Sequence, residues 1–137
     1  MSGEEADFVR GMFEAMSAVG SASNAEQDRM AEQWWHPDIE YIEDPSWPGS
    51  ASYRGRETVA QTFQAYSEIL GATLKVEDVR LGTDGVFARV RYTGSSTGAD
   101  VPFDQVWGYH CRIRDGRLGY FRAYFDADDA MRDAGVT

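Results

Sequence analysis

Glu43 and Asp44 stand side by side where the alternating run Ile39-Glu40-Tyr41-Ile42-Glu43 breaks into the loop Pro45-Ser46-Trp47-Pro48-Gly49. Two carboxylates at a strand end are candidates for acid-base chemistry, because a turn fixed by prolines and a glycine can hold them beside whatever the next helix covers. An acid enclosed by aromatic rings suits reversible proton transfer from a carbon next to a carbonyl. The plainer reading of the pair is a cap on loop amides, since Asp before Pro is a common turn choice. Asp104, in Pro102-Phe103-Asp104, is a third candidate. An acid in mid-strand is costly unless paired or neutral, and Arg89 or Arg91 would pair with it. Tyr109 and His110 complete the set, with His110 on the Asp104 side of the strand by parity and Tyr109 on the other.

Aromatic residues are numerous enough to surround such a group. Trp34, Tyr41, Trp47, Phe63, Tyr66 and Trp107 are candidate pocket walls, together with Phe13, Phe121, Ala123 and Phe125, although buried aromatics also build plain cores. No glycine-rich phosphate loop or Gly-x-Ser-x-Gly elbow is present, and His36, His110 and Cys111 lack metal-ligand spacing. The expectation is chemistry without cofactor or metal. A lone cysteine, Cys111, reads as a small buried strand residue.

The formal net charge of −10 argues against nucleic acid, which needs a clustered cationic face. No apolar run approaches the roughly 20 residues that cross a bilayer, so no membrane association is expected. The acidic start Met1-Ser2-Gly3-Glu4-Glu5 lacks the basic head of a secretory signal and gives a cytoplasmic expectation.

These side chains need a frame, and 137 residues suffice for one domain, taken as 1–137. Phe8, Val9, Met12, Phe13 and Met16 recur at helical spacing over Glu4 to Val19. Asn24 is positioned to cap a second helix that runs past Trp34 and Trp35 to His36-Pro37. Ile39 to Glu43 reads as a strand, and Arg56 to Leu70 as a third helix with Val59, Phe63, Tyr66 and Ile69 on one side. Alternation then predicts strands over Leu74–Leu81, Val86–Tyr92, Val101–Arg114 and Arg117–Asp126, with a short acidic helix from Asp128. Three helices and an early strand followed by an antiparallel meander make an α+β domain. Aromatics on both faces of the last two strands predict that one face lines a pocket and the other meets a second copy of the chain.

Four motifs carry a family resemblance across nearly the whole chain: Trp35-His36-Pro37-Asp38-Ile39-Glu40-Tyr41, Tyr53-Arg54-Gly55-Arg56-Glu57, Arg114-Asp115-Gly116-Arg117-Leu118 and Phe121-Arg122-Ala123-Tyr124-Phe125-Asp126. The chain resembles the SnoaL-like branch of the nuclear transport factor 2-like, or ketosteroid isomerase-like, superfamily. The resemblance implies a cone-shaped α+β barrel, with three N-terminal helices packed on a curved, mainly antiparallel sheet around a pocket. It also implies a hydrophobic small-molecule ligand, and the aromatics on both strand faces place the expected homodimer contact on the convex sheet face.

In ketosteroid isomerase the general base lies in a Val-Glu-Asp-Pro stretch similar to Ile42-Glu43-Asp44-Pro45. Matching on the proline makes Asp44 the base. Matching from Pro37-Asp38 makes it Glu43, which strand alternation also places on the Ile39 and Tyr41 face, while a bulge would restore Asp44. The tyrosine of that site aligns with Phe13, and its protonated aspartic acid with Asp104 or Tyr109. The last strand is similar to the Arg-Asp-Tyr-Phe-Asp of limonene-type epoxide hydrolases, with Ala123 where a carboxylate stands. The expectation is a cofactor-independent enzyme of the polyketide cyclase, isomerase or dehydratase kind, acting on a hydrophobic carbonyl compound. A non-catalytic binding or accessory protein is the alternative.

Overall fold

The computed structural model describes residues 2–19, 23–46, 49–70, 73–95 and 102–136. Helices α1 (Ser2–Val19) and α2 (Asn24–Trp34) come first, then strands β1 (Trp35–Ile42) and β2 (Ser52–Arg54), then helix α3 (Arg56–Leu70). Strands β3 (Thr73–Leu81), β4 (Val86–Ser95), β5 (Pro102–Arg114) and β6 (Arg117–Tyr124) follow, and α4 (Ala127–Ala134) ends the chain. The α+β cone expected from the sequence is the fold found, its six-stranded sheet left open.

The strand order is β2-β1-β6-β5-β4-β3. The meander β3 to β6 is antiparallel throughout, whereas β1 joins it by parallel pairing with β6, matching Tyr41 to Phe121 and Ile42 to Arg122. That pairing is what brings the end of β1, with its carboxylates, against the end of β6. Irregular register between Val76 and Asp78 and between Arg112 and Ile113 marks bulges, which bend strands and increase their twist.

Three local expectations change. Ser23 rather than Asn24 caps α2, its hydroxyl accepting the Glu26 amide at 3.3 Å, so the helix starts one residue early. Trp35 leaves the helix and begins β1, where its ring packs on Phe63 and Phe121. Ser52–Arg54, three residues with no room to alternate, forms β2 by pairing antiparallel with Glu40–Ile42.

One core lies between the sheet and α1 to α3. Val9, Met12 and Phe13 of α1, Trp35, Ile39 and Tyr41 of β1 and Val59 of α3 are buried there with Val90, Tyr109 and Phe121. Helix α4 packs on the opposite face, where Phe87, Ala130 and Ala134 form a second cluster. Gly108 permits this: a side chain there would put its Cβ 2.6 Å from the Ala130 Cβ. The convex face is thus partly closed by the chain's own last helix, which accounts for the buried residues found on both faces of β5.

Candidate functional site

A cleft opens where β1, β6, β5 and α3 meet. It is lined by Tyr41, Glu43, Asp44, Tyr66, Trp107, Ala123 and Phe125, a shallow cleft with a cavity volume of about 30 Å³. Parallel pairing of β1 with β6 places Tyr41 beside Phe121, and the strand period puts Tyr41 and Glu43 on one side.

Glu43 is 6% exposed. Its Oε1 accepts the Ala51 amide at 3.1 Å and a longer 3.4 Å bond from the Tyr53 hydroxyl. The backbone around it is pinned as well, with the Glu43 amide donating to the Ala51 carbonyl at 3.1 Å. Among the described residues nothing donates to Oε2. One oxygen is therefore anchored while the other remains available in a largely apolar cleft.

Asp44 is differently placed. Its Oδ1 accepts both the amide (2.8 Å) and the hydroxyl (2.7 Å) of Ser46, and its Oδ2 accepts the Phe125 amide at 2.8 Å. Burial pushes this carboxyl upward, but the bonds from Ser46 and Phe125 and the charge of Arg122 outweigh it and hold the group below the usual carboxylate range. Both oxygens are engaged in tying the loop after β1 to the end of β6. Of the two acids kept open by the sequence, Glu43 has the free oxygen and Asp44 is the staple.

Tyr41 lies between Phe121 (ring centroids 4.5 Å), Phe63 (5.0 Å) and Tyr53 (6.2 Å), and its hydroxyl has no hydrogen-bond partner among the described residues. Burial, then the neighbouring Tyr92, Glu43 and Tyr53, push its phenol well above the ordinary tyrosine value, so it stays a protonated donor. Deeper in the cone the Tyr92 and Tyr109 hydroxyls share a 2.7 Å hydrogen bond. Burial pushes Tyr92 up to about 12, and Tyr109 well above its ordinary value. Trp107 packs against Tyr92 and Phe125, each at 5.1 Å, with its Nε1 donating to Gln105 at 3.0 Å.

The structure gathers Tyr41, Glu43, Asp44, Tyr66, Trp107, Ala123 and Phe125 at the cleft and leaves other candidates outside it. Asp104 is exposed and accepts two bonds from Arg91, at 2.7 and 2.9 Å, while Arg91 also holds Glu77 at 2.9 Å. The arginine pairing foreseen for a mid-strand acid is what fixes Asp104, on the face away from the cleft. His110 is fully buried under α4, its Nδ1 2.8 Å from the Asp133 carboxylate and its Nε2 3.2 Å from the Asp84 carbonyl. It belongs to the anchor of the last helix, because residue parity turns it away from Tyr109. Phe13 packs on Tyr109, and Phe63 and Phe121 form the wall behind Tyr41. Trp34 lies against Phe8 at 5.1 Å, outside the cleft. Trp47 falls outside the described residues. Cys111 is buried in the core, which pushes its thiol strongly upward.

Sequence reasoning missed Tyr53, whose hydroxyl reaches Glu43, and Asp133, which binds both His110 and Tyr124. Both contacts arise from pairings invisible locally: β2 against β1, and α4 across the sheet. No cluster of three or more His, Cys, Asp or Glu side chains able to hold a metal occurs among the described residues, and none of the described helices is long and apolar enough to cross a membrane.

The sequence pattern of the SnoaL-like domain matches residues 9–121. No curated protein matches the chain. Several solved structures share the fold at low identity. Bal32a, from a soil-derived mobile gene cassette, superposes with a TM-score of 0.73 at 18% identity, covering 93% of each chain. A Jannaschia sp. CCS1 protein named as a candidate SnoaL-like polyketide cyclase gives 0.69 at 17%, covering 93% of this chain and 91% of that one. A Catenulispora acidiphila protein with a ketosteroid isomerase-like fold, in complex with trimethylamine, gives 0.65 at 18%, covering 92% and 93%.

Proposed function

We propose that this chain, which belongs to the SnoaL-like domain family, is a cofactor-independent enzyme that moves a proton on a small hydrophobic carbonyl compound. The observation that carries the reading is the buried Glu43 carboxylate, which lines an aromatic cleft with Oε1 anchored and no donor to Oε2 among the described residues. Oε2 takes a proton from the carbon next to the carbonyl, and the electron pair of that C–H bond moves into an enolate. Tyr41, two residues away on the same side, donates its phenolic hydrogen bond to the developing oxygen charge. Protonated Glu43 then returns the proton to another carbon, which is an isomerisation, or to a departing hydroxyl, which is a dehydration. A ring closure follows if the enolate carbon instead attacks a second carbonyl of the same molecule, whose π pair moves to its oxygen and takes the proton back from Glu43. The candidate cyclase among the structural relatives favours this class of chemistry.

A non-catalytic ligand-binding role is the second reading, favoured by Ala123 and Phe13, apolar where the resembled enzymes carry polar groups. The homodimer through the outer sheet face also belongs to this proposal, confined to the part that α4 leaves uncovered. Light scattering of the purified protein tests it, a monomer removing it.

Deuterium wash-in separates the two functional readings. Aromatic ketones such as 2-tetralone, incubated with the protein in heavy water, should exchange their acidic C–H protons faster than in buffer. The Glu43→Gln variant should lose this acceleration by about a hundredfold or more. Exchange no faster than buffer across the ketone panel would leave the binding role.

A further inference from the structure

The cleft's chemistry selects ligand charge. Among the described residues that line it, four are aromatic, Tyr41, Tyr66, Trp107 and Phe125, two are carboxylates, and none is basic. Asp44 is already compensated by three hydrogen bonds and by the nearby Arg122 charge. Glu43 is not: it is 6% exposed, with one oxygen lacking a donor among the described residues. A carboxylate with so little of its surface left to water gains from a cation seated against it. Aromatic faces add attraction for the same charge, most strongly from tryptophan and most of all for quaternary alkylammonium groups, whose methyl surface has no N–H donor and is weakly hydrated. An anionic ligand would meet two carboxylates and no basic side chain among the described lining residues, which disfavours phosphorylated or carboxylated compounds.

We propose that the ligand of this cleft carries an alkylammonium group, its nitrogen held beside Glu43 and its methyl or methylene groups against Trp107, Phe125 and Tyr66. This rests on the reading that the cleft is the ligand site, and it does not require Glu43 to be a base. An ammonium next to a carbonyl acidifies the carbon between them, so an amino ketone suits both readings at once.

Calorimetric titration at low ionic strength with choline and with its neutral carbon isostere, 3,3-dimethylbutan-1-ol, tests the proposal. Choline should bind about tenfold more tightly than the alcohol. Trp107→Leu and Glu43→Gln should each weaken choline at least about fivefold, Glu43→Gln leaving the alcohol unaffected. Asp104→Asn, whose site pairs with Arg91 away from the cleft, should change neither. Equal affinity for the two probes, no choline binding, or choline affinity that survives both cleft variants would overturn it. Charge preference without ketone exchange would keep the cation site and remove proton transfer, and exchange without charge preference would do the reverse.

Discussion

Replacing Asp44 separates the staple from the reacting group. The Asp44 carboxylate receives the Ser46 amide and hydroxyl on one oxygen and the Phe125 amide on the other, at 2.7 to 2.8 Å. Asparagine can satisfy only one side, because its amide nitrogen must face either the Ser46 amide or the Phe125 amide, donor against donor. Hydrogen bonds to a charged acceptor contribute about 1.5–3 kcal/mol each in shielded settings. Asp44 is half-buried, so the loss of one bond plus the repulsion is set at about 2 kcal/mol, or roughly 8 °C in Tm for a domain of this size. The effect depends on pH with a definite sign. The folded-state carboxyl is held below its ordinary value, so its stabilisation is complete above the unfolded carboxylate range near about 4 and is lost as pH falls through the folded value. Thermal unfolding of wild type and Asp44→Asn, followed by circular dichroism from pH 7 downward, should therefore show a gap that narrows with acid. Asp44→Asn should also retain ketone exchange within about tenfold of wild type, since Glu43 keeps its own bonds to Ala51 and Tyr53. A variant melting within 2 °C of wild type at pH 7, by the scale of about 4 °C per kcal/mol, would refute the staple.

Other consequences can be checked in the same way. Burial pushes Asp133 upward, but hydrogen bonds from His110 and Tyr124 outweigh it and hold the group low, so Asp133→Asn should cost about 1–2 kcal/mol at pH 7 and progressively less in acid, read by urea unfolding. Gly108→Ala forces a Cβ to within 2.6 Å of the Ala130 Cβ and 2.7 Å of the Ala127 Cα, and should destabilise the protein by about 1–3 kcal/mol while raising hydrogen exchange in α4. Asp104→Asn breaks an exposed pair with Arg91 and should shift stability by less than about 1 kcal/mol, with ketone exchange unchanged; a large loss of exchange would return Asp104 to the site.

The helices and the meander were legible because their apolar periods are long: α1 and α3 each carry several turns of apolar stripe, and β3 to β6 alternate over eight or more residues. What escaped depends on contacts between distant segments. β2 has three residues and exists only through pairing with β1, and Trp35 is drawn from the end of α2 into β1. Alternation through Ile39, Tyr41 and Glu43 already put Glu43 on the inward side, yet Asp44 also reaches the cleft, because the strand ends at Ile42 and the loop no longer obeys parity. Which acid keeps a free oxygen was hidden in the sequence, since it depends on the Phe125 amide 81 residues away. Asp104 and His110 looked chemical by residue type, but parity and the arrival of α4 on the convex face set Asp104 against Arg91 and hydrogen-bond His110 to Asp133 on the far side of the sheet.

The most direct test is a crystal structure of the protein soaked with an aromatic amino ketone. The account predicts the ligand in the cleft, its carbonyl oxygen within hydrogen-bond distance of the Tyr41 hydroxyl and its acidic carbon next to the Glu43 Oε2. A ligand bound elsewhere, or Glu43 turned out to solvent when the cleft is filled, would contradict it.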